Sequence, residues 1–286
     1  MAPGTLALGT LVRSGLLLAL AALPAWAVDV NGTYPSTSTL PASDVNAGDI
    51  LISDYVGNIN TASGVYLGNG WVITAAHIDP TDGMAYTLDN QSYTVVNGSE
   101  TAVGTNTDLV MFQITGNGAA LSTLASLGTL SLATSTPANG TSLLMIGYGD
   151  GASRNTETWG TSQVVGGDQA VTPQGLTTST LDFAAYKSPY TTYVVEGDSG
   201  GGGFVLSGGK YVLAGLIEAQ STVTDGNGNT VGQGSALMDL TAYAGNIATI
   251  MNGSPSTVPE PGTWALLGLG GAAWLGARLR RPRGAR

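Results

Sequence analysis

The stretch Trp-Val-Ile-Thr-Ala-Ala-His at residues 71–77 ends on the only histidine of a 286-residue chain that has no cysteine. The aromatic and β-branched residues that precede His77 are typical of a buried strand. An imidazole titrates near neutral pH and is well suited to accept a proton and return it. Any imidazole chemistry must therefore take place at position 77. A metal site with several histidines and any thiol chemistry are excluded.

Two other segments carry side chains that complement a histidine. Asp108 opens the apolar run Leu109–Ile114, and Ser199 lies in Glu-Gly-Asp-Ser-Gly-Gly at residues 196–201. A serine hydroxyl becomes a useful nucleophile when a neighbouring base takes its proton, and a carboxylate behind the imidazole fixes its tautomer. Glycines around the serine allow backbone N–H groups to point at a developing oxyanion. The three segments together favour acyl-transfer chemistry.

The order of these segments along the chain and their residue sequences resemble those of the chymotrypsin/trypsin-like serine proteases. The resemblance is carried by TAAH at 74–77, DLVMFQI at 108–114 and GDSGG at 197–201. The order histidine, aspartate, serine is that of this family, whereas subtilisin and the α/β-hydrolases use other orders. Weaker similarities lie at 146–149 (IGYG) and 213–217 (LAGLI), and the resemblance spans about residues 50–251.

The resemblance implies a role for each matched residue. His77 is expected to be the general base, Asp108 the orienting carboxylate and Ser199 the nucleophile. The backbone N–H groups of Gly197 and Ser199 are expected to form the oxyanion hole. This mechanism needs no cofactor and no metal.

The pattern of short apolar runs separated by turn residues predicts an all-β protein. The resemblance implies two antiparallel six-stranded β-barrels, at about residues 50–125 and 135–240, joined near 121–137 with the active site between them. Residues 119–132 are expected to form a loop or a strand, because this segment carries Gly128 and several Ser and Thr residues. The apolar spacing within 241–251 predicts a short C-terminal helix. We expect residues 28–49 to form a loose lead-in and residues 28–252 to form the protease domain.

The sequence departs from the family pattern at several positions. No Arg or Lys followed by an Ile-Val-Gly-Gly-like start occurs before residue 70. In the family, the aspartate at position 198 pairs with an N-terminal ammonium freed by cleavage. Either Asp198 finds another partner, or a cut near residues 45–55 frees a new N-terminus. Ile78 and Val195 replace cysteines that many relatives carry, and Gly202 replaces a proline.

The resemblance places four residues at the expected substrate pocket: Tyr193, Glu196, Glu218 and Gln220. Tyr193 occupies the position where an aspartate would imply cleavage after Lys or Arg. Glu218 is suited to attract a basic residue, whereas Tyr193 is equally suited to cap a shallow pocket. The preferred residue of the substrate stays open, with an acidic preference the least favoured.

The N-terminal 27 residues have the features of a secretory signal peptide. Arg13 precedes an apolar stretch at Gly15–Leu23, and Ala25-Trp26-Ala27 gives a small-x-small cleavage pattern. Val28 is therefore the predicted mature start. The alternative, an uncleaved anchor helix, is disfavoured because the apolar run is short.

The C-terminal residues 258–286 resemble the PEP-CTERM sorting signal of Gram-negative bacteria. Val258-Pro-Glu-Pro261 is followed by an apolar run at Trp264–Ala277 and then by five arginines. In that signal, an exosortase reads the Pro-Glu-Pro motif and removes the tail. The alternative is a plain C-terminal membrane anchor, although 14 apolar residues are few for a stable span. Residues 253–257 are the predicted linker.

Between the two terminal signals the chain is strongly acidic. Residues 28–258 hold three basic side chains against 18 acidic ones. Such a surface repels phosphate backbones, so a nucleic-acid partner is not expected. The stretch Asp-Gly-Asn-Gly-Asn at 225–229 has some features of a calcium loop. It lacks the required Gly and Glu at later positions, so a β-hairpin turn is favoured.

These observations predict a secreted serine endopeptidase that acts on a protein or peptide substrate. The alternative is a non-catalytic binding or matrix protein on the same fold, and an esterase or other acyl transferase is a third class. The expected partners besides substrate are an exosortase and the secretion machinery, with membrane contact only through the C-terminal segment. The expected route is export from a Gram-negative bacterium, through the periplasm to the cell surface or extracellular matrix.

Overall fold

A computed structural model describes residues 29–30, 45–46, 50–149, 157–171, 178–184, 192–224 and 230–253. The predicted signal peptide at 1–27, the turn at 225–229 and the predicted sorting signal at 258–286 lie outside these residues. The described N-terminal residues form three two-residue strands: β1 (Asp29–Val30), β2 (Val45–Asn46) and β3 (Ile50–Leu51). A short 3-10 helix at Ile52–Tyr55 leads from β3 into the first large sheet.

Seven antiparallel strands form the first sheet, in the order β6-β5-β4-β7-β8-β10-β9. They are β4 (Val56–Ile59), β5 (Ala62–Gly68), β6 (Trp71–Ala75), β7 (Ala85–Leu88), β8 (Gln91–Val95), β9 (Thr101–Ala102) and β10 (Leu109–Thr115). Strand β10 pairs with β8 and also with β6, so the sheet returns on itself. Every residue of β5 and β6 is buried, whereas burial alternates along β7, as the continuous and alternating apolar patterns require.

The second half of the chain forms a closed barrel with strand order β11-β12-β13-β17-β16-β15. Its strands are β11 (Ser142–Gly147), β12 (Thr158–Val171), β13 (Thr178–Ala184), β15 (Gly202–Ser207), β16 (Lys210–Thr224) and β17 (Thr230–Asp239). The two-residue strand β14 (Thr192–Tyr193) pairs with β1. The predicted all-β fold of two barrels is confirmed.

Residues 118–127 differ from the expected loop or strand, because they form helix α1 (Gly118–Leu127). The Asn117 side chain caps the helix by accepting a hydrogen bond from the Ala120 N–H at 3.1 Å. Ala120, Leu124 and Leu127 are its buried residues, a spacing of four and then three that fits a helix face. The Ser and Thr residues of the helix are exposed or half-buried. Gly128, with φ of 71°, follows the last helical residue and ends the helix instead of interrupting it.

The predicted C-terminal helix is confirmed. After β17, a 3-10 turn at Leu240–Tyr243 leads into helix α2 (Ala244–Asn252), whose buried residue is Ile247. Asn246 Nδ2 donates a hydrogen bond to the Val103 carbonyl, so α2 is tied to the loop after β9. Among the described residues, no helix is long and apolar enough to cross a membrane.

Candidate active site

His77 and Asp108 meet because β6 and β10 pair in antiparallel register. Ala75 lies opposite Leu109, so the residues just beyond them, Ala76 and Asp108, also face each other. The Ala76 N–H donates to the Asp108 carbonyl at 3.0 Å. His77 sits on the 3-10 turn Ala76–Ile78 that follows β6. The sheet register therefore brings together two residues that are 31 positions apart in sequence.

The Asp108 carboxylate holds His77 at two points. Its Oδ1 accepts from the His77 backbone N–H at 2.8 Å, and its Oδ2 lies 2.6 Å from the ring Nδ1. Asp108 is only 1% exposed, whereas about a fifth of the His77 side chain is accessible. A buried carboxylate bound to Nδ1 places the proton on that nitrogen and leaves Nε2 as the proton acceptor.

Ser199 lies in a tight loop between β14 and β15 that is tied to β16. The Gly200 N–H donates to the Ile217 carbonyl at 2.8 Å. Gly200 has φ of 82°, and a Cβ there would collide with the Ser63 carbonyl oxygen. Only glycine fits this approach, which is why the motif needs a glycine directly after the serine.

The Ser199 hydroxyl donates to the carbonyl oxygen of Glu218 at a long distance of 3.4 Å. Among the described residues, this is the hydrogen bond that the hydroxyl makes, and it does not bond the His77 ring. The loop is bound to β5 through the Ser63 N–H, which donates to the Ser199 carbonyl at 2.9 Å. Strand β5 neighbours β6, the strand that leads to His77. The structure thus places Ser199 where the two barrels meet.

The carboxylate of Asp198 is fully buried and accepts hydrogen bonds from the backbone. The Gly149 N–H donates to Oδ1 at 3.1 Å, and the Val195 N–H donates to Oδ2 at 3.0 Å. In the uncut chain Asp198 therefore has backbone partners, and the cut near residues 45–55 stays an alternative prediction. A carboxylate that accepts such bonds keeps its charge stabilised inside the protein.

Comparison with known families accounts for this arrangement. The family model for trypsin matches residues 43–237, more than half of the chain. The chain belongs to the trypsin family. A second model, for the PEP-CTERM protein-sorting motif, matches residues 257–281. Both predicted resemblances are confirmed, and the second indicates export and sorting to the surface or beyond.

Solved protease structures resemble the chain in fold at low sequence identity. An inactive form of the Rv3671c protease of M. tuberculosis H37Rv is 14% identical, with a TM-score of 0.50 over 69% of this chain and 89% of that one. The HtrA-type protease AlgW with a decapeptide is 17% identical, with a TM-score of 0.46 over 68% of this chain and 52% of that one. No curated protein sequence matches the chain significantly.

Two of the four predicted pocket residues of this trypsin-family chain lie next to the serine loop in sequence. Tyr193 is half-buried on β14, and Glu196 is exposed at the start of the loop. The Glu196 side chain is therefore more accessible to a substrate than the Tyr193 side chain.

The other two predicted pocket residues lie on β16. Glu218 is 3% exposed and stands at an irregularity of the β16–β17 pairing. Gln220 pairs with Ser235, whose hydroxyl accepts from the Val194 N–H at 2.9 Å. The register therefore brings Gln220 close to the segment that carries Tyr193.

Sequence reasoning missed a half-buried carboxyl group near the barrel junction. Glu157 Oε2 accepts a hydrogen bond from the Tyr148 hydroxyl at 3.5 Å. Burial, together with the negative charge of Asp54, raises the pKa of Glu157 to about 7. Burial and the Glu157 charge also raise the pKa of Tyr148. The sequence analysis noted Tyr148 as part of IGYG, but nothing in that motif points to Glu157 as its partner.

The sequence analysis also missed the roles of two side chains of the first sheet, Ser63 and Thr74. Ser63 Oγ contacts the nucleophile loop, and Thr74 Oγ1 donates to the Ser63 carbonyl at 2.6 Å. Thr74 belongs to the TAAH motif, but its role depends on a residue 11 positions earlier. No group of three or more His, Asp or Glu side chains in the described ranges is arranged to hold a metal ion.

Proposed function

We propose that this protein is a secreted serine endopeptidase that cuts peptide bonds through an acyl-enzyme on Ser199. The observation that carries the proposal is the double contact of Asp108 with His77, beside a serine loop shaped by glycines. A structural histidine has no need of a buried carboxylate on Nδ1 and an accessible ring. The membership of the trypsin family supports the same reaction class.

In the first half of the reaction, His77 Nε2 takes the proton of Ser199 Oγ as the oxygen attacks the substrate carbonyl carbon. The carbonyl oxygen becomes an oxyanion, which the N–H groups of Gly197 and Ser199 stabilise. Asp108 stabilises the imidazolium that forms. His77 then gives its proton to the amine as the C–N bond breaks, which leaves an acyl ester on Ser199.

In the second half, water attacks the ester carbonyl while His77 Nε2 takes a proton from that water. The ester bond breaks, and the proton returns from His77 to Ser199 Oγ. The carboxylic acid product leaves and the enzyme is restored. Each protein group used is one that the chain itself supplies, so the proposed cycle uses no cofactor.

We propose that substrate selection depends on Tyr193, Glu196, Glu218 and Gln220, and that the substrate is a protein or peptide. We also propose that residues 1–27 are removed on export and that an exosortase processes the tail at residues 258–286. The match to the PEP-CTERM motif supports this route to the cell surface or extracellular matrix through a periplasm.

One observation favours a second candidate, a non-catalytic binding protein on the trypsin fold. The Ser199 hydroxyl is hydrogen-bonded to the Glu218 carbonyl oxygen and not to His77. Hydrogen bonds of catalytic groups are often long or misaligned before substrate binds, so this geometry does not exclude the peptidase. Reactivity of Ser199 separates them.

The test is the reaction of the purified protein with a fluorophosphonate, read by intact and peptide mass spectrometry. Ser199→Ala and His77→Ala are the controls. We expect an adduct on Ser199, formed with loss of fluoride, that disappears in both variants. A folded wild-type protein without an adduct is tested again after limited proteolysis within residues 28–55. An adduct that appears then indicates a zymogen, and its continued absence would support the binding protein. Cleavage of a peptide library, compared with hydrolysis of simple esters, then separates an endopeptidase from an esterase.

A further inference from the structure

The Ser63 hydroxyl joins the nucleophile loop to a second loop across the junction of the two barrels. Its Oγ donates to the Gly197 carbonyl at 2.8 Å and accepts from the Tyr148 N–H at 2.8 Å. Ser63 lies on β5 of the first sheet and is 0% exposed, whereas Gly197 and Tyr148 belong to the second half of the chain. One buried hydroxyl therefore uses both its donor and its acceptor capacity on backbone groups that are remote in sequence.

The direction of this hydrogen-bond chain is fixed by its members. The Tyr148 N–H can only donate, so it occupies an acceptor site on Ser63 Oγ, and the hydroxyl proton points to the Gly197 carbonyl. The backbone of Ser63 adds two further bonds. Its N–H donates to the Ser199 carbonyl at 2.9 Å, and its carbonyl accepts from Thr74 Oγ1 at 2.6 Å.

These bonds hold the carbonyls on both sides of Asp198, namely those of Gly197 and Ser199. Gly197 has φ of 95°, a conformation that glycine leaves readily in the absence of other restraints. The Thr61 carbonyl oxygen also lies against Gly197, 2.8 Å from where a Cβ would stand. The loop is thus restrained from the first barrel at the residues whose N–H groups are the proposed oxyanion-hole donors.

We propose that the Ser63 hydroxyl is a positioning residue that keeps the Gly197 and Ser199 N–H groups directed at the oxyanion. This inference rests on the proposed serine-peptidase function. Without the hydroxyl, the Tyr148 N–H and the Gly197 carbonyl both lose the partner that the buried Ser63 side chain supplies. The loop then relieves the loss by rotating its peptide groups, which misdirects the donors on which the transition state depends.

Ser99 offers a matched control for the loss of such a hydroxyl. Its Oγ donates to the Val96 carbonyl at 2.6 Å and accepts from the Gln113 N–H at 3.0 Å. It therefore bridges two backbone groups as Ser63 does, but both of them belong to the first sheet and its loops. Ser99→Ala tests the loss of a bridging hydroxyl without touching the nucleophile loop.

The experiment compares wild type, Ser63→Ala, Ser63→Thr and Ser99→Ala. For each full-length protein, we measure urea unfolding and the concentration dependence of fluorophosphonate labelling on Ser199, from about pH 5 to 9. For Ser63→Ala we expect the maximal labelling rate per folded molecule to fall about tenfold or more. This loss is smaller than the roughly 10²–10³-fold loss of rate that follows the removal of one oxyanion-hole donor. Probe affinity and the pH midpoint of labelling should stay unchanged. Ser63→Thr should keep the rate within about threefold, and Ser99→Ala should label like wild type.

The outcomes separate this inference from the proposed function. A wild type that does not label Ser199, either before or after limited proteolysis within residues 28–55, removes the proposed function and this inference with it. A labelled wild type whose Ser63→Ala variant reacts within about threefold per folded molecule overturns the positioning role alone. A shift in the pH midpoint would also overturn it, because it would place the effect on His77. If Ser63→Ala does not fold, Ser63→Cys replaces it, since a thiol is a weaker donor and should give an intermediate rate.

Discussion

Both carboxylate oxygens of Asp108 are used on one residue, His77: Oδ1 on its backbone N–H at 2.8 Å and Oδ2 on its ring Nδ1 at 2.6 Å. The first contact fixes where the turn after β6 begins, and the second fixes the tautomer of the ring. A single buried side chain therefore sets both the position and the proton distribution of the proposed base.

Replacing Asp108 with Asn should separate these two effects. The amide oxygen can still accept from the His77 backbone N–H, but the amide nitrogen facing Nδ1 would favour the wrong tautomer. We expect the rate of Ser199 labelling at pH 7 to fall by roughly 10³–10⁴ with little loss of folding stability. Asp79→Asn is the control, because Asp79 is exposed beside the same turn. A comparable loss in that variant would contradict the assignment.

Gly149 is the point where the IGYG segment contacts the nucleophile loop. A Cβ at this residue would collide with the Glu196 carbonyl oxygen and lie 2.6 Å from the Asp198 nitrogen. Gly149→Ala should therefore displace the loop, lower labelling at least about tenfold and reduce the free energy of unfolding by about 1–3 kcal/mol. Gly118→Ala is the matched change, since nothing lies within 4 Å of where its Cβ would stand. Equal effects of the two substitutions would show that Gly149 has no special role.

The backbone partners of Asp198 predict that no freed N-terminus is needed for reactivity. Because Gly149 and Val195 already donate to this carboxylate, a cut near residues 45–55 should leave the labelling rate within about twofold of that of the uncut protein. The measurement compares the protein that starts at Val28 before and after limited proteolysis within residues 28–55. Labelling that appears only after this cut would mean that an N-terminal ammonium is required after all.

The sequence predicts those parts of the fold and site whose residues lie close together along the chain. The three proposed catalytic residues lie in short contiguous motifs, and the strand runs around them predict the barrels. Ser63 acts through Gly197, which is 134 positions away, so no local pattern reveals it. Glu157 becomes unusual only because folding buries it near other acidic groups. Contacts between the two barrels are set by packing, which a single sequence does not display.

Helix α1 was missed for a different reason. Its sequence contains local features that favour a helix, but also features that argue more strongly against one. Asn117 is available as a cap and Gly128 as a terminator, but the Ser and Thr residues between them favour a loop or a strand. Asn117→Ala should cost about 1 kcal/mol in the free energy of unfolding, because the Ala120 N–H loses its acceptor. Asn117→Asp, which keeps an acceptor, should stay within a few tenths of a kcal/mol of wild type in urea denaturation. If Asn117→Ala and wild type have the same free energy of unfolding, the Asn117 cap does not contribute to stability.

Glu157 predicts a dependence of folding stability on pH. Its pKa is raised to about 7 in the folded protein, from 4.5 in the unfolded chain, so the folded state binds the proton more tightly. The cost of ionising this group is absent below about pH 4.5, grows as pH rises, and is complete above about pH 7. At that point it amounts to at most about 3 to 4 kcal/mol.

Glu157→Gln should therefore stabilise the protein relative to wild type at about pH 8 and make little difference at about pH 4.5. Urea unfolding at a series of pH values measures this directly. Asp54→Asn removes a negative charge that raises the pKa of Glu157, so this pKa should fall towards its unfolded value. In that variant the decline in stability should be smaller and should end at a lower pH. A difference between Glu157→Gln and wild type that is constant across the pH range would assign the effect to packing and not to charge.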